Sequence, residues 1–264
     1  GTAGAYKRKL AMLFFFFAFT NERPSGPTRK LFKNLGLFIS VTFSFILFAS
    51  VSFADSKNST FQLTILHTND LHSHNEPYLF KGKLVGGMGR LAHLIRELRA
   101  EQKRKGNNCV VVDAGDLFQG STLYSHYNGE VEVNLLNKIG YDLFTLGNHE
   151  FDDGSSNVAK QFKNAQFEIL NCNLDFSQVA SLKDMVKPSV IREYKGEKVG
   201  FVGVITPTIE MISGGLQGAK LKDKDKHWTY PIKKEAEKLE KQGINKIILI
   251  THCGLDEDKE IPSI

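Results

Sequence analysis

From about residue 61 onward, short apolar runs alternate with longer amphipathic stretches. The runs "FQLTILHT", "CVVVDAGD", "YDLFTLGN", "QFEILNCNL", "KVGFVGVITP" and "INKIILITHCG" are strand-length and rich in β-branched or aromatic residues, so each predicts a strand. Between them, "GGMGRLAHLIRELRAEQKRKG" carries Leu91, Leu94, Ile95 and Leu98 at helical spacing with a charged opposite face. "EVEVNLLNKIG" predicts a helix stopped by Gly140, and "YPIKKEAEKLEKQG" one with Pro231 near its start. Strand, helix and strand in this order predict an α/β domain with parallel pairing.

Four of the strands run into polar clusters at their C-terminal ends: "HTNDLHSH", "DAGDLFQG", "LGNHEFDDG" and "THCGLDED". Ligands of α/β sheets gather in the crevice outside those ends, so the four clusters can meet in one place. Taken singly, Asp70 and His72 read as a solvated loop pair, Asp116 and Asn148 as turn residues beside Gly115 and Gly147, and His252 as a core histidine. Together they offer carboxylates, imidazoles and an amide carbonyl, a mixed N/O set suited to Zn, Mn or Fe. That is too many donors for one four-coordinate ion, and two ions sharing Asp116 is the economical arrangement. Two metals ~3.5–4 Å apart form a clamp for in-line displacement at phosphorus.

Composition adds a boundary to the domain. The 264 residues are 41% hydrophobic and 24% charged, with a net charge of +5. The basicity sits in residues 1–54, which hold seven Lys/Arg against one acid, whereas the remainder holds 27 against 28. No basic stripe with interleaved aromatics follows, which excludes a nucleic-acid polymer as partner. Arg29, Lys30 and Lys33, thirteen largely apolar residues from Leu37 to Ala49, and Ser52-Phe53-Ala54 predict a signal peptide over 29–54, cleaved after Ala54. Thirteen residues fall short of the ~20 of a spanning helix, so the expectation is a periplasmic or secreted protein with no stable membrane anchor. Residues 1–28 fit no part of a signal peptide and read as upstream or non-native leader; 55–60 is a polar linker. Cys109, Cys172 and Cys253 allow at most one internal disulfide, and buried free thiols fit equally well.

In order and spacing, "LTILHTNDLHSH", "DAGDLFQGS", "LGNHEFDDG", "GVITP" and "ILITHCG" resemble the N-terminal domain of the calcineurin-like metallophosphatases. The similarity is greatest to the secreted branch of 5′-nucleotidases, UDP-sugar hydrolases and 2′,3′-cyclic-nucleotide phosphodiesterases, and it covers roughly residues 61–264. The resemblance implies a four-layer α-β-β-α sandwich, C-terminally truncated, with the family's substrate domain absent. It implies two divalent metal ions, Asp70 and His72 on the first, Asp116 bridging, Asn148 and His252 on the second. His149 corresponds to the family's catalytic histidine and Asp152 to its partner. The implied reaction is hydrolysis of a small nucleotide, a nucleoside 5′-monophosphate, by a metal-bridged hydroxide.

Within the same resemblance, 2′,3′-cyclic-nucleotide, UDP-sugar and thiosulfohydrolase-like sulfur-ester hydrolysis are alternatives. A non-catalytic secreted binding module is the alternative outside enzymes, opposed by the intact motif residues. The family pattern continues to a Gly-His-x-His motif beyond residue 264, so this stretch alone is expected to lack one ligand per metal and to bind metal weakly. His67, His74, Asn69, Asp113, Glu150 and Asp153 are read as capping, solvated or ligand-supporting groups. His93 and His126 receive no role, and Gly86, Gly87 and Gly89 read as a flexible loop.

Overall fold

In chain order the strands are β1 (Ala11–Met12), β2 (Leu63–Thr68), β3 (Tyr78–Phe80), β4 (Lys83–Val85), β5 (Asn108–Asp113), β6 (Leu143–Thr145), β7 (Glu168–Leu170), β8 (Leu174–Asp175), β9 (Val186–Lys187), β10 (Ser189–Tyr194), β11 (Glu197–Ile205), β12 (Lys220–Leu221) and β13 (Ile247–His252). The helices are α1 (Met88–Arg104), α2 (Thr122–Tyr127), α3 (Glu130–Ile139), α4 (Gly154–Phe162), α5 (Ala180–Lys183), α6 (Ile209–Ile212), α7 (Tyr230–Lys241) and α8 (Leu255–Glu260), with a 3₁₀ turn at His149–Phe151. This is a computed structural model, and it describes residues 60–261 and the strand β1. The expected signal peptide, the linker up to residue 59 and the rest of the expected leader lie outside the described residues.

One sheet is wholly parallel in the order β2-β5-β6-β7-β9. The other runs β1-β13-β11-β10, with β1, β13 and β11 parallel and β10 antiparallel to β11. On the outer face of the first sheet, Ile95 of α1, Val133 and Leu136 of α3, and Val158 and Phe162 of α4 pack with Val111, Phe144 and Ile169. On the outer face of the second, Ile232 and Leu239 of α7 pack with Val202, Val204 and Leu249. The sheets meet where β11 crosses β6 and β7, and a Cβ on Gly203 would run into the Leu170 carbonyl and the Thr145 hydroxyl. The layers are therefore helix, sheet, sheet, helix. Because both faces of β11 are covered, every residue from Val199 to Ile205 is buried, and the strand reads as a continuous apolar run.

Four expectations shift. Parallel pairing fails at β10–β11, where Lys195 and Gly196, with φ of 54° and 84°, close a two-residue hairpin. "QFEILNCNL" breaks into β7 and β8 because Asn173 leaves the sheet to pair with Ile205, its Nδ2 donating to the carbonyl at 2.7 Å and its Oδ1 accepting the N–H at 3.0 Å. Leu94 is 53% exposed, so the buried stripe of α1 is narrower than the periodicity predicts. Nor is the glycine cluster a flexible loop: Gly87 starts α1, Gly89 lies inside it, and a Cβ on Gly87 would approach the Pro77 nitrogen to 2.8 Å. All three cysteines are free thiols, and burial raises the Cys172 thiol to about 12. Among the described residues, no helix is long and apolar enough to cross a membrane.

Candidate metal centre

The C-terminal ends of β2, β5, β6 and β13 carry the four polar clusters, and local sequence bends each into the same crevice. Asp70, His72, Ser73 and Asp116 hold left-handed backbone with φ of 52°, 43°, 54° and 57°. Such residues cost of order 1–3 kcal/mol each unless the surroundings fix them, and they concentrate at functional sites. Here the loops after β2 and β5 fix each other: Asp70 N–H donates to Gly115 O at 2.9 Å, His72 N–H to Asp116 O at 3.0 Å, and Ser73 N–H to Leu117 O at 3.0 Å. Gly147 has no room for a side chain, because a Cβ there would overlap the Asp116 carboxylate.

Two buried carboxyls hold this arrangement from behind. Glu150 is fully buried and accepts four backbone N–H groups, from Gly147 at 2.6 Å, Leu117 at 2.8 Å, Asp116 at 2.9 Å and Phe118 at 3.2 Å. Burial and then the nearby Asp116 charge raise its carboxyl to about 7, against the pull of those donors. Asp113, also fully buried, accepts Thr68 Oγ1 at 2.5 Å and Gly115 N–H at 2.9 Å. Burial raises it to about 7 as well.

At the centre stands Asp116. Its Oδ1 accepts the His149 N–H at 2.9 Å, while Oδ2 lies 3.1 Å from His252 Nε2, 3.9 Å from His72 Nε2 and 4.0 Å from His149 Nε2. Burial raises this carboxyl, but the His252 bond and the imidazole charges outweigh burial and hold it below its ordinary value. His252 Nδ1 faces the Ala114 carbonyl at 2.8 Å, which fixes the tautomer and leaves Nε2 toward Asp116. Burial lowers His252, and the Asp116 bond overrides it, bringing the imidazole to about 9 in the metal-free protein. Asp70 Oδ1 lies 3.5 Å from His72 Nε2. Two groups of donor atoms, each within 4.8 Å of one another, share Asp116: Asp70 with His252, and His72 with His149. Three imidazoles and two carboxylates converging around the Asp116 carboxylate suit divalent cations.

His149 has a second partner. Its Nδ1 lies 2.7 Å from Asp152 Oδ2, and the rings of His72 and His149 meet edge-on with centroids 5.1 Å apart. Burial lowers His149, and the Asp152 bond followed by the Asp116 charge raises it beyond its ordinary value.

These groups line a cavity of about 560 Å³ with Asn148 among them. Asp70, Asp116, Glu257 and Asp258 bring four carboxyls to the wall, and no Lys or Arg lines it. All seven residues singled out in the sequence thus fall at or beside one cavity, Asp152 through its contact with His149. Asn69 and His67 also line it; His74 instead meets the Tyr78 ring, and Asp153 accepts the Tyr124 hydroxyl at 2.7 Å. His93 is exposed, and His126 packs edge-on against Tyr127. Thr206 and Thr208 line the cavity without having been expected there, and Asp258, the last residue of the "THCGLDED" cluster, lines it without having been singled out. The available signal was their position just past the C-terminal ends of β11 and β13.

Residues 63–262 match the calcineurin-like phosphoesterase family. The chain belongs to that family. Among curated relatives, a probable 5′-nucleotidase of Treponema pallidum is 34% identical over 78% of the chain, and a 5′-nucleotidase of Diplobatis ommata is 36% identical over 80%. The chain spans only 35% and 36% of the lengths of these two proteins. A solved 5′-nucleotidase precursor from Thermus thermophilus superposes with a TM-score of 0.69 at 32% identity, over 75% of this chain and 38% of that one. The NAD nucleotidase of Haemophilus influenzae superposes with a TM-score of 0.66 at 31% identity, over 75% of this chain and 35% of its own.

Proposed function

We propose that the chain supplies the metal-binding and catalytic portion of an exported, metal-dependent phosphoric ester hydrolase acting on nucleoside 5′-monophosphates. The observation that carries this reading is the charge of the cavity. Four carboxyls and no Lys or Arg would repel a phosphate dianion, so a phosphoryl group enters only once divalent cations occupy the donors around Asp116. Two such ions would polarise the phosphoryl oxygens and lower the pKa of water between them. Asp70 and His72 would hold the first, Asn148 and His252 the second, with Asp116 shared. The 5′-nucleotidases among the relatives support the substrate class, and the 29–54 segment supports export.

His149 serves as the acid in this reading. Asp152 holds the Nδ1 proton and the imidazole orientation, as the carboxylate of a hydrolase triad does. The raised affinity of the ring for protons keeps Nε2 able to donate to the leaving alkoxide oxygen. One observation favours a second reading: His149 groups with His72 and Asp116 closely enough to act as a ligand itself.

Metal content by elemental analysis and steady-state rates on a nucleoside monophosphate separate the two, measured on the full-length protein. As the acid, His149→Ala keeps both metals and loses ~10²- to 10⁴-fold in kcat. Asp116→Ala loses metal and activity together, and Asp152→Asn resembles a milder His149→Ala. A lost metal in His149→Ala makes it a ligand, and full activity with both metals removes it from the chemistry.

A further inference from the structure

Between the loop after β2 and the start of α1, the chain spends eight residues on a hairpin, and this hairpin exposes apolar surface on both faces. Lys81 and Gly82, with φ of 47° and 73°, form a two-residue turn of the type that matches strand twist, so β3 and β4 pair in a defined register. Leu79 opposes Leu84 on one face, and Phe80 opposes Lys83 on the other. Leu79 is 75% exposed, Phe80 54% and Leu84 50%. Three large apolar side chains on a short two-stranded ribbon are an unusual allocation, since such ribbons are marginal in water and contiguous exposed apolar surface marks a contact site.

Charge narrows what that contact is. Residues 76–105, the hairpin and α1, hold eight Lys/Arg against three acids, whereas the rest of 55–264 holds nineteen against twenty-five. A net of +5 therefore sits beside a remainder of −6. Lys81 and Lys83 flank the tip itself, with Lys81 Nζ 5.3 Å from the Phe80 ring centroid, and Arg90 of α1 donates to the Leu84 carbonyl at the base. Two copies meeting through this face would bring like charges together, which opposes self-association. An apolar tip carrying cations matches the boundary between anionic headgroups and acyl chains, where apolar side chains enter and Lys or Arg stay with the headgroups.

We infer that the β3–β4 hairpin seats the protein on an anionic phospholipid surface, with Leu79, Phe80 and Leu84 entering the acyl boundary and Lys81, Lys83 and Arg90 meeting the headgroups. The contact is peripheral and reversible. It is independent of which phosphoester the protein hydrolyses.

Flotation of the full-length protein with vesicles of phosphatidylglycerol and phosphatidylcholine, against phosphatidylcholine alone, tests it at low ionic strength. The wild type floats with the anionic vesicles and much less with the neutral ones, and added salt releases it. Leu79→Ser with Phe80→Ser weakens the partition ~10- to 100-fold, and Lys81→Glu with Lys83→Glu by ~30-fold or more. Neither pair changes the rate on a soluble nucleotide, which also shows that both variants fold. The inference is overturned if the wild type does not float, if it floats equally with neutral vesicles, or if both variants float as the wild type does. Sedimentation showing a wild-type dimer that these substitutions dissolve, without vesicle binding, would assign the face to a second copy instead.

Discussion

Glu150→Gln changes one buried atom and should loosen the whole centre. The Glu150 carboxylate is an acceptor at both oxygens and serves four backbone N–H groups, three of them on the consecutive residues Asp116, Leu117 and Phe118. A Gln keeps one acceptor oxygen and turns the other position into a donor, so about two of those N–H groups face an NH₂ in a site closed to water. An unsatisfied buried donor costs ~1–3 kcal/mol, which for two amounts to ~2–6 kcal/mol, or about 3 kcal/mol after partial relaxation. For a domain of this size that lowers Tm by roughly 6–12 °C. The damage is also directional. Asp116 holds a left-handed backbone at φ 57°, and either orientation of the amide frees its own N–H or those of Leu117 and Phe118 directly after it, so the Asp116 carboxylate drifts and metal affinity falls ~10- to 100-fold, the usual worth of a group that positions a ligand. Calorimetric metal titration and thermal unfolding of the metal-free protein measure the two effects separately. If Glu150→Gln melts with the wild type and binds metal as tightly, the N–H clamp does not hold Asp116 and the reasoning fails.

Gly147→Ala places a Cβ against the Asp116 carboxylate and backbone; the substitution should abolish metal binding while leaving the far β10–β11 hairpin folded, as hydrogen exchange would report. Asp113→Asn tests the other buried carboxyl. Because its folded pKa of about 7 exceeds the unfolded value near 3.8, the folded state holds the proton longer, and stability falls as pH rises between those values. Replacing it with Asn, which can accept from Gly115 and donate to Thr68, should remove up to ~1.4 kcal/mol per pH unit of that slope in denaturant titrations of the metal-free protein; an unchanged slope would mean that Asp113 is not the group responsible. N-terminal sequencing of exported protein should begin at Asp55, and a start at Lys7 or within "LFFFFAF" would exclude cleavage after Ala54.

The sequence by itself determined the rhythm of strands and helices and the membership of the site. Those features are local: a buried parallel strand must be an apolar run, and a ligand cluster at its C-terminal end must follow within a few residues. Hence Asp70, His72, Asp116, Asn148, His149 and His252 could be singled out from four short segments, and the fold carries them to one cavity. Only the tertiary structure decided what depends on long separations. That β10 turns antiparallel to β11 rests on the Lys195-Gly196 hairpin, and that Leu94 lies in solvent rests on how α1 sits against β5 and α3. Glu150 and Asp113 were legible only as capping, solvated or supporting acids: which N–H groups each clamps depends on how the loops after β2, β5 and β6 stack against one another. The register of parallel strands 33 and 45 residues apart sets those contacts, as between His149 and Asp116 or Thr68 and Asp113, and no local pattern encodes a distance across that register.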